Sequence, residues 1–433
     1  MTTTAPPTAP SEAGPRMHSF ASELFPICRS ITGDGVRTTL RAIAERVPLE
    51  VHEVSSGTRV LDWTVPDEWN ITDAYIASPD GRRVVDFRAS NLHVVGYSEP
   101  VRETMTLDEL RPHLHTHDES RDWIPYRTSY YTRTWGFCLS QRQLAGLDEG
   151  PYEVVIDASL APGSLTYGEC FLRGERDEEV LVSTHVCHPA LANDNLSGIA
   201  LVTELAAALG DRERRLSYRF LFIPGTIGSI AWLARNEEVV SRIVGGLVIA
   251  CVGDSGPLTY KRSRAGCALV DRAGAHVVTH ATGGRVLDFV PWGWDERQFN
   301  SPGFDLPVGC LTRSLEGEFP EYHSSADDLD LIRAESLDES LQAALSILDV
   351  LEQNRSYCNL LPKGEPQLGK RGLYRGLGGA DPGTEQLALL WMLNQSDGSA
   401  SLLDIADRSG LPFAQILHAS KALVDAGLLA EGP

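Results

Sequence analysis

Residues 181–200 read LVSTHVCHPALANDNLSGIA. The apolar run ends at His185, Cys187 and His188, and the chain then delivers Asn193, Asp194 and Asn195 before turning apolar again. A short apolar run followed by turn residues and a helix-spaced stretch is a strand–loop–helix unit. Its polar residues fall just past the carboxyl end of the strand, where ligands sit in sheets built from such units.

The same alternation extends along the chain. YEVVIDAS, EEVLVSTH, YRFLFIP and IVGGLVIACVG read as strands, with helices expected from Ser197 to Leu209 and near 228–240. The fold class is α/β, a mixed, largely parallel sheet flanked by helices. Upstream, MHSFASELFPICRSITGDGVRTTLRAIAERV carries apolar residues at helical spacing, with Gly33-Asp34-Gly35 between two helices. Segments such as LEVHEV, RRVVDF and NLHVVGY, separated by Pro, Gly, Asn and Asp, predict a β-rich insert. The expected division is a disordered leader over 1–16, a main domain from 17–47 and 152–355, and the insert over 48–151. A connector over 356–383 leads to a winged helix over 384–433, read from three short helices with a turn at Ser409-Gly410.

Composition narrows the function. The chain has 433 residues and a net charge of −21, which opposes a sequence-independent grip on nucleic acid or on an anionic membrane. A small-molecule or short-peptide substrate fits better, and self-association into a homo-oligomer stays open. The eight cysteines form no CxxC pair, and a chain of this size needs no staples, so they are expected to be reduced and the protein cytoplasmic. The N-terminus has no apolar h-region of a signal peptide, and nowhere do eighteen apolar residues run together.

His185 and Asp194 have counterparts elsewhere: Asp254 after a strand in VIACVGDSG, and His323 in GEFPEYHSSADD. Imidazole nitrogen and carboxylate oxygen are ligands that catalytic zinc accepts while keeping a position open. Taken singly, each is as readily an ordinary loop residue. Their joint placement after strands is what suggests a metal site. His188, three residues into the loop, reads as a wall residue, and Cys187 as a buried thiol.

The stretches STHVCHPALANDNLSG, FIPGTIGSIAWL, GDSGPLTYKRSR, DERQFNSPGFDLPVG and GEFPEYHSSADDL resemble the bacterial aminopeptidase-like proteins of unknown function, relatives of the zinc aminopeptidase and carboxypeptidase clan. The resemblance runs from about residue 18 to the C-terminus and covers the insert and the winged helix. It implies a zinc-aminopeptidase-like fold and zinc on His185, Asp194, Asp254 and His323, with Asp194 where the clan has a carboxylate that bridges two metals.

One departure bears on chemistry. The clan places adjacent glutamates after the strand matching RFLFIP, a general base and then a metal ligand. The aminopeptidase-like relatives keep the first and have Thr in place of the second. This chain reads Pro224-Gly225-Thr226-Ile227-Gly228-Ser229. Thr226 removes a carboxylate from a second metal, so one zinc is expected rather than two. Gly225 removes the base. Gly225 is an introduced change, or another carboxylate serves, or the reaction needs no activated water. Glu169 and Glu296 are the substitutes the sequence favours, with Glu318 and Glu321 behind them. Tyr131, Arg297 and Tyr322, together with His188, are the expected substrate-binding residues, and Tyr130 and Trp135 extend an aromatic wall.

The expected function is zinc-dependent hydrolysis of an amide bond in a small peptide-like or aminoacylated metabolite. The alternative is an altered member that binds such a compound, or performs acyl transfer or cyclisation on it. A DNA-binding regulator ranks lower: from Thr384 onward only Arg408 and Lys421 are basic, against six acidic residues.

Overall fold

A computed structural model describes residues 12–373 and 383–432. Residues 1–11 of the expected leader and 374–382 of the expected connector lie outside the described residues. The first helix, Ala13–Leu24, starts inside the segment expected to be leader. Its face of Ala13, Gly14, Met17, Phe20, Ala21 and Leu24 is buried. Gly14 lies so close to the Ala334 carbonyl that a Cβ would overlap it, a long-range packing requirement that a Thr/Ala/Pro-rich leader does not advertise.

The main sheet has eight strands: β1 Glu50–Ser55, β2 Ser164–Leu172, β3 Glu179–His185, β4 Ser217–Ile223, β5 Ile243–Ile249, β6 Thr259–Lys261, β7 Arg285–Leu287 and β8 Val308–Thr312. Their order across the sheet is β1-β2-β4-β3-β5-β8-β6-β7. The centre, β4-β3-β5-β8, is parallel, while β1 pairs antiparallel with β2, β2 with β4 and β6 with β8, and the edge pair β6-β7 is parallel. Side chains alternate along these strands between two cores. Val180, Val182, Tyr218, Phe220 and Phe222 enter one, while Leu181, Leu221 and Ile223 enter the other. Helices Ala13–Leu24, Gly198–Gly210, Leu269–His280 and Ala334–Gln353 pack in the first core. Helix Ile227–Arg235 and a four-stranded sheet (Glu68–Ala77, Arg83–Asp86, Val101–Thr106, Pro151–Ala161) pack in the second. Because β3 is buried on both faces, its sequence is a continuous apolar run rather than an alternating one.

The insert and the main domain exchange strands. LEVHEV gives β1, on the edge of the main sheet, whereas YEVVIDAS belongs to the small one. Alternation decides which faces of a strand are buried but not which sheet covers them. At the C-terminus, helices Gly383–Gln395, Leu402–Ser409 and Phe413–Asp425 stand with a three-stranded sheet in which Ser356–Asn359 is central, between Asp397–Ser401 and Leu429–Glu431. Residues 356–359, expected in the connector, therefore complete the winged helix.

That winged helix is seated on Leu269–His280. His276, 7% exposed, pairs through Nδ1 with Asp407 Oδ1 at 2.8 Å and accepts the Phe413 N–H on Nε2 at 3.0 Å. Arg272 Nη2 lies 2.8 Å from carboxylate oxygens of both Asp404 and Asp407. Among the described residues no helix is long and apolar enough to cross a membrane, and none of the eight cysteines is in a disulfide.

Candidate metal centre

β3 ends at His185, and the chain returns to it through Ala192–Ser197, an irregular helical turn. There Asp194 (φ −109°, ψ 80°) and Asn195 (φ −146°, ψ 36°) leave helical geometry. The departure turns the Asp194 carboxylate back toward the strand end. Asp194 Oδ1 stands 2.8 Å from His185 Nε2 and 3.6 Å from His188 Nδ1, and the two imidazole nitrogens are 3.1 Å apart. Asp194 Oδ2 faces the other way, 3.1 Å from His323 Nε2.

Among the described residues, His185, His188 and Asp194 form a group whose ligand atoms all lie within 4.8 Å of one another. Two residues stand differently from the expected ligand set. His188 stands with the donors rather than on a wall, its Nδ1 near both His185 Nε2 and Asp194 Oδ1. Asp254 is spent elsewhere: Oδ2 accepts from Asn193 Nδ2 at 2.8 Å, and Oδ1 accepts from Ser314 Oγ at 2.8 Å and from the Gly256 N–H. His323 joins through the far oxygen of Asp194. The donor set suits zinc, since ligands about 2.0–2.1 Å from a tetrahedral ion sit roughly 3.3 Å apart, close to the separations seen. Burial pushes the His188 imidazole down to about 3, which favours the neutral ring that a metal site needs. Burial raises Asp194, but the surrounding His188, His185 and His323 outweigh it and hold the carboxyl well below its usual range.

Aromatic rings wall the centre. Tyr126 presents its face or edge to both His188 and His323, at 5.2 and 5.1 Å between centroids. Tyr322 stacks on His323 at 4.0 Å. Tyr126 arrives from the insert, which bonds to the His323 loop through Tyr126 N–H to His323 O and Ser325 N–H to Ile124 O, both 2.8 Å. Tyr130 supports it, hydroxyl to hydroxyl at 3.2 Å. Tyr131 lies apart, 49% exposed and tilted against Trp63. Trp135 stacks on His113.

The substitute carboxylates named from sequence have other employment. Glu169 pairs with Arg219 and accepts from Trp232 Nε1 at 2.8 Å, and Arg219 also holds Glu179 at 2.7 Å. Glu296 is fully buried against Lys261, whose ammonium also donates to Trp292 O at 2.7 Å. Arg297 lies over the Trp292 ring, and Glu318 pairs with Arg285 at 2.7 Å.

Asp295 is the carboxylate the sequence reading passed over. A Cβ on Gly225 would lie 3.2 Å from Asp295 Oδ2 and 3.2 Å from His185 Cβ. Asp295 is 1% exposed; Ser229 Oγ donates to its Oδ1 at 2.7 Å, while Oδ2 is buried with no hydrogen-bond partner among the described residues. Burial pushes this carboxyl up to about 6. In sequence it sits in DERQ beside Glu296 and Arg297, and only the unusual Gly225 hints that a neighbour could occupy the vacated space.

The model of a domain of unknown function, DUF4910, matches residues 18–354. The chain belongs to the DUF4910 family. A winged helix-turn-helix model matches residues 355–431, in keeping with the central strand at 356–359. A Clostridium acetobutylicum protein, provisionally named a polysaccharide biosynthesis protein with an aminopeptidase-like domain, is 53% identical over 421 residues, 97% of each chain. A crystal structure from the same organism, provisionally named a peptidase, superposes with a TM-score of 0.92 at 52% identity over 97% of both chains. A zinc aminopeptidase from Bacillus subtilis shares the fold, with a TM-score of 0.57 at 14% identity over 78% of this chain and 95% of that one. The expected aminopeptidase-like fold and the C-terminal winged helix are thus present in this DUF4910 member.

Proposed function

We propose that this DUF4910 member cleaves an amide bond in a small peptide-like or aminoacylated metabolite, using one zinc ion held by His185, His188 and Asp194. The observation that carries the reading is the convergence of those three donors at the carboxyl end of a central parallel strand, where open α/β sheets bind ligands. Bound zinc supplies Lewis-acid chemistry, polarising a carbonyl and acidifying water.

The chain's own residues supply the rest. His323, on the far oxygen of Asp194 and stacked by Tyr322, presents a half-exposed imidazole at the mouth of the centre. Tyr126 packs against His188 and His323 and excludes water from one side. Asp295 is placed to hold a proton: its raised pKa lets it ionise near neutral pH, and its free oxygen borders the space that Gly225 leaves open. The experiment is a panel of aminoacyl amides with purified zinc-loaded protein. Release of both free amine and free carboxylate supports hydrolysis; zinc binding with no cleavage of any member counts against it.

Gly225 itself favours a second reading. A centre with no carboxylate on that residue suits a substrate whose own amine or hydroxyl attacks the polarised carbonyl, giving acyl transfer or cyclisation. The same panel separates the two, because transfer or cyclisation yields amine without free carboxylate.

We take the winged helix as a docking module rather than a DNA reader, and the protein as cytoplasmic. Its Phe413–Asp425 helix, the counterpart of a recognition helix, has its first amide bonded to His276 and Phe413 buried, although helices of this kind read bases with their N-terminal residues. Tight duplex binding at low salt would overturn this.

A further inference from the structure

The segment from His188 to Asp194 carries two of the three donors and is held by two buried side chains, the Arg29 guanidinium and the Asp327 carboxyl. Arg29, 2% exposed, donates from Nε to the His188 carbonyl and from Nη2 to the Pro189 carbonyl, each at 2.8 Å, and from Nη1 to the Leu24 carbonyl at 2.8 Å. Asp327, fully buried, takes the amides at the other end: Oδ1 accepts from Asn193 N and Oδ2 from Asp194 N at 3.0 Å, while its backbone carbonyl accepts from Ala192 N. Among the described residues neither side chain makes an ion pair within 4.0 Å.

Burying a charge without a counter-ion is costly unless its hydrogen bonds are well satisfied. Four of the six side-chain hydrogen bonds go to the backbone of one segment, and the other two, from Arg29 Nη1, go to the Leu24 carbonyl and to Thr39 Oγ1. A guanidinium fork matches two successive carbonyls, and a carboxylate matches two successive amides. The pairing fixes the segment's peptide planes at both ends, and hence where the His188 ring and the Asp194 carboxylate emerge.

We propose that Arg29 and Asp327 are positioning residues for the metal centre, setting zinc affinity through the backbone of residues 188–194. Neither contacts the donor atoms of the centre. Arg29 acts from the turn that follows the first helix, and Asp327 from the loop that follows His323, so three remote parts of the chain must dock before the centre has its shape.

The inference rests on the metal reading above, and its test reads zinc binding rather than turnover. Zinc dissociation constants of the full chain are measured by chelator competition for Arg29→Lys, Arg29→Met and Asp327→Asn. Glu352→Gln is the control: Glu352 is likewise buried and accepts the Arg215 and Leu216 amides, but at the opposite end of β4. Groups that orient metal ligands typically change metal affinity by about 10–100-fold. The three variants should weaken zinc by at least about tenfold, with folded far-UV spectra, and Glu352→Gln should leave it unchanged. Should Arg29→Met fail to fold, Arg29→Lys, which keeps the charge but loses the fork, decides the point. Zinc affinities within about twofold of the parent in the folded variants, or an equal loss in Glu352→Gln, overturn the proposal. A parent chain that binds no zinc overturns the metal reading itself.

Discussion

The carboxylate of Asp295 and the backbone of Gly225 face each other so closely that a Cβ on residue 225 would stand 3.2 Å from Asp295 Oδ2. The gap left by a missing side chain is thus bordered by a buried carboxylate with one oxygen that has no hydrogen-bond partner among the described residues.

Asp295→Asn keeps the shape and removes the basic oxygen. On an amide substrate cleaved by the parent, turnover should fall by about 10²–10⁴, the contribution of a positioned general base, with zinc content unchanged. In the parent, kcat/KM should rise through pH of about 6 as Asp295 ionises, and that inflection should vanish in the variant. A profile unaltered by the substitution would remove Asp295 from the chemistry.

Gly225→Glu returns a carboxylate to the position where the resembled clan has its general base. With Asp295 adjacent, the new carboxylate enters an occupied site, and two carboxylates in contact resist ionising together. The single variant should therefore gain less than roughly 10²-fold, and its rate should rise only at higher pH than the parent's. In the Asp295→Asn background Gly225→Glu should recover activity and Gly225→Gln should not; equal behaviour of the two would place the base elsewhere.

Stability carries a separate signature of Asp295. Its folded pKa is raised from 3.8 to about 6, so between those values the native state binds more protons than the unfolded state and stability falls as pH rises. Above pH of about 6 the ionised carboxylate is a fixed cost to folding. Asp295→Asn should thus be more stable than the parent at pH 8, by about 1–3 kcal/mol at most, and should lose that advantage near pH 4. Denaturant midpoints at the two pH values check the sign.

Zinc content distinguishes the ligand set. Elemental analysis should find about one zinc per chain, lost in His185→Ala and equally in His188→Ala. Asp254→Asn should retain it, because Asp254 is bonded to Asn193 and Ser314 instead. Loss in Asp254→Asn with retention in His188→Ala would restore the ligand set read from sequence.

His276 should make winged-helix docking sensitive to acid. Its Nε2 accepts the Phe413 N–H, and burial lowers its pKa below the ordinary histidine value. Around it stand Asp407, His280, Arg272 and Asp404. Docking is therefore complete above pH of about 6.5 and weakens as pH falls through the depressed pKa, since a protonated ring turns a second N–H toward an N–H. Protection of the 413–425 amides against exchange, relative to their intrinsic rates, should fall in the parent as pH drops below the ordinary histidine range. His276→Phe should be weakly protected above and below that range; strong protection there at neutral pH would argue that the contact does not hold the domain.

The sequence by itself determined the elements and the placing of His185 and Asp194 at the end of β3. Apolar runs and their spacing, from LVST into His185 and from Ser197 into the following helix, reflect local burial periods of two and 3.6 residues that any neighbour must respect. Gly225 was legible only through the resemblance, as a departure at one position of a linear motif. What only the tertiary structure decided was which side chains meet. Asp254 and Asp295 each fall just beyond an apolar or aromatic stretch, and nothing in their spacing tells that one is bonded to Asn193 while the other opens onto Gly225. Arg29, Asp327 and Tyr126 reach the centre from the first helical turn, the His323 loop and the insert, through hydrogen bonds to backbone and ring contacts. Such contacts leave no periodic trace, because a backbone carbonyl or amide offers the same bond whatever residue carries it.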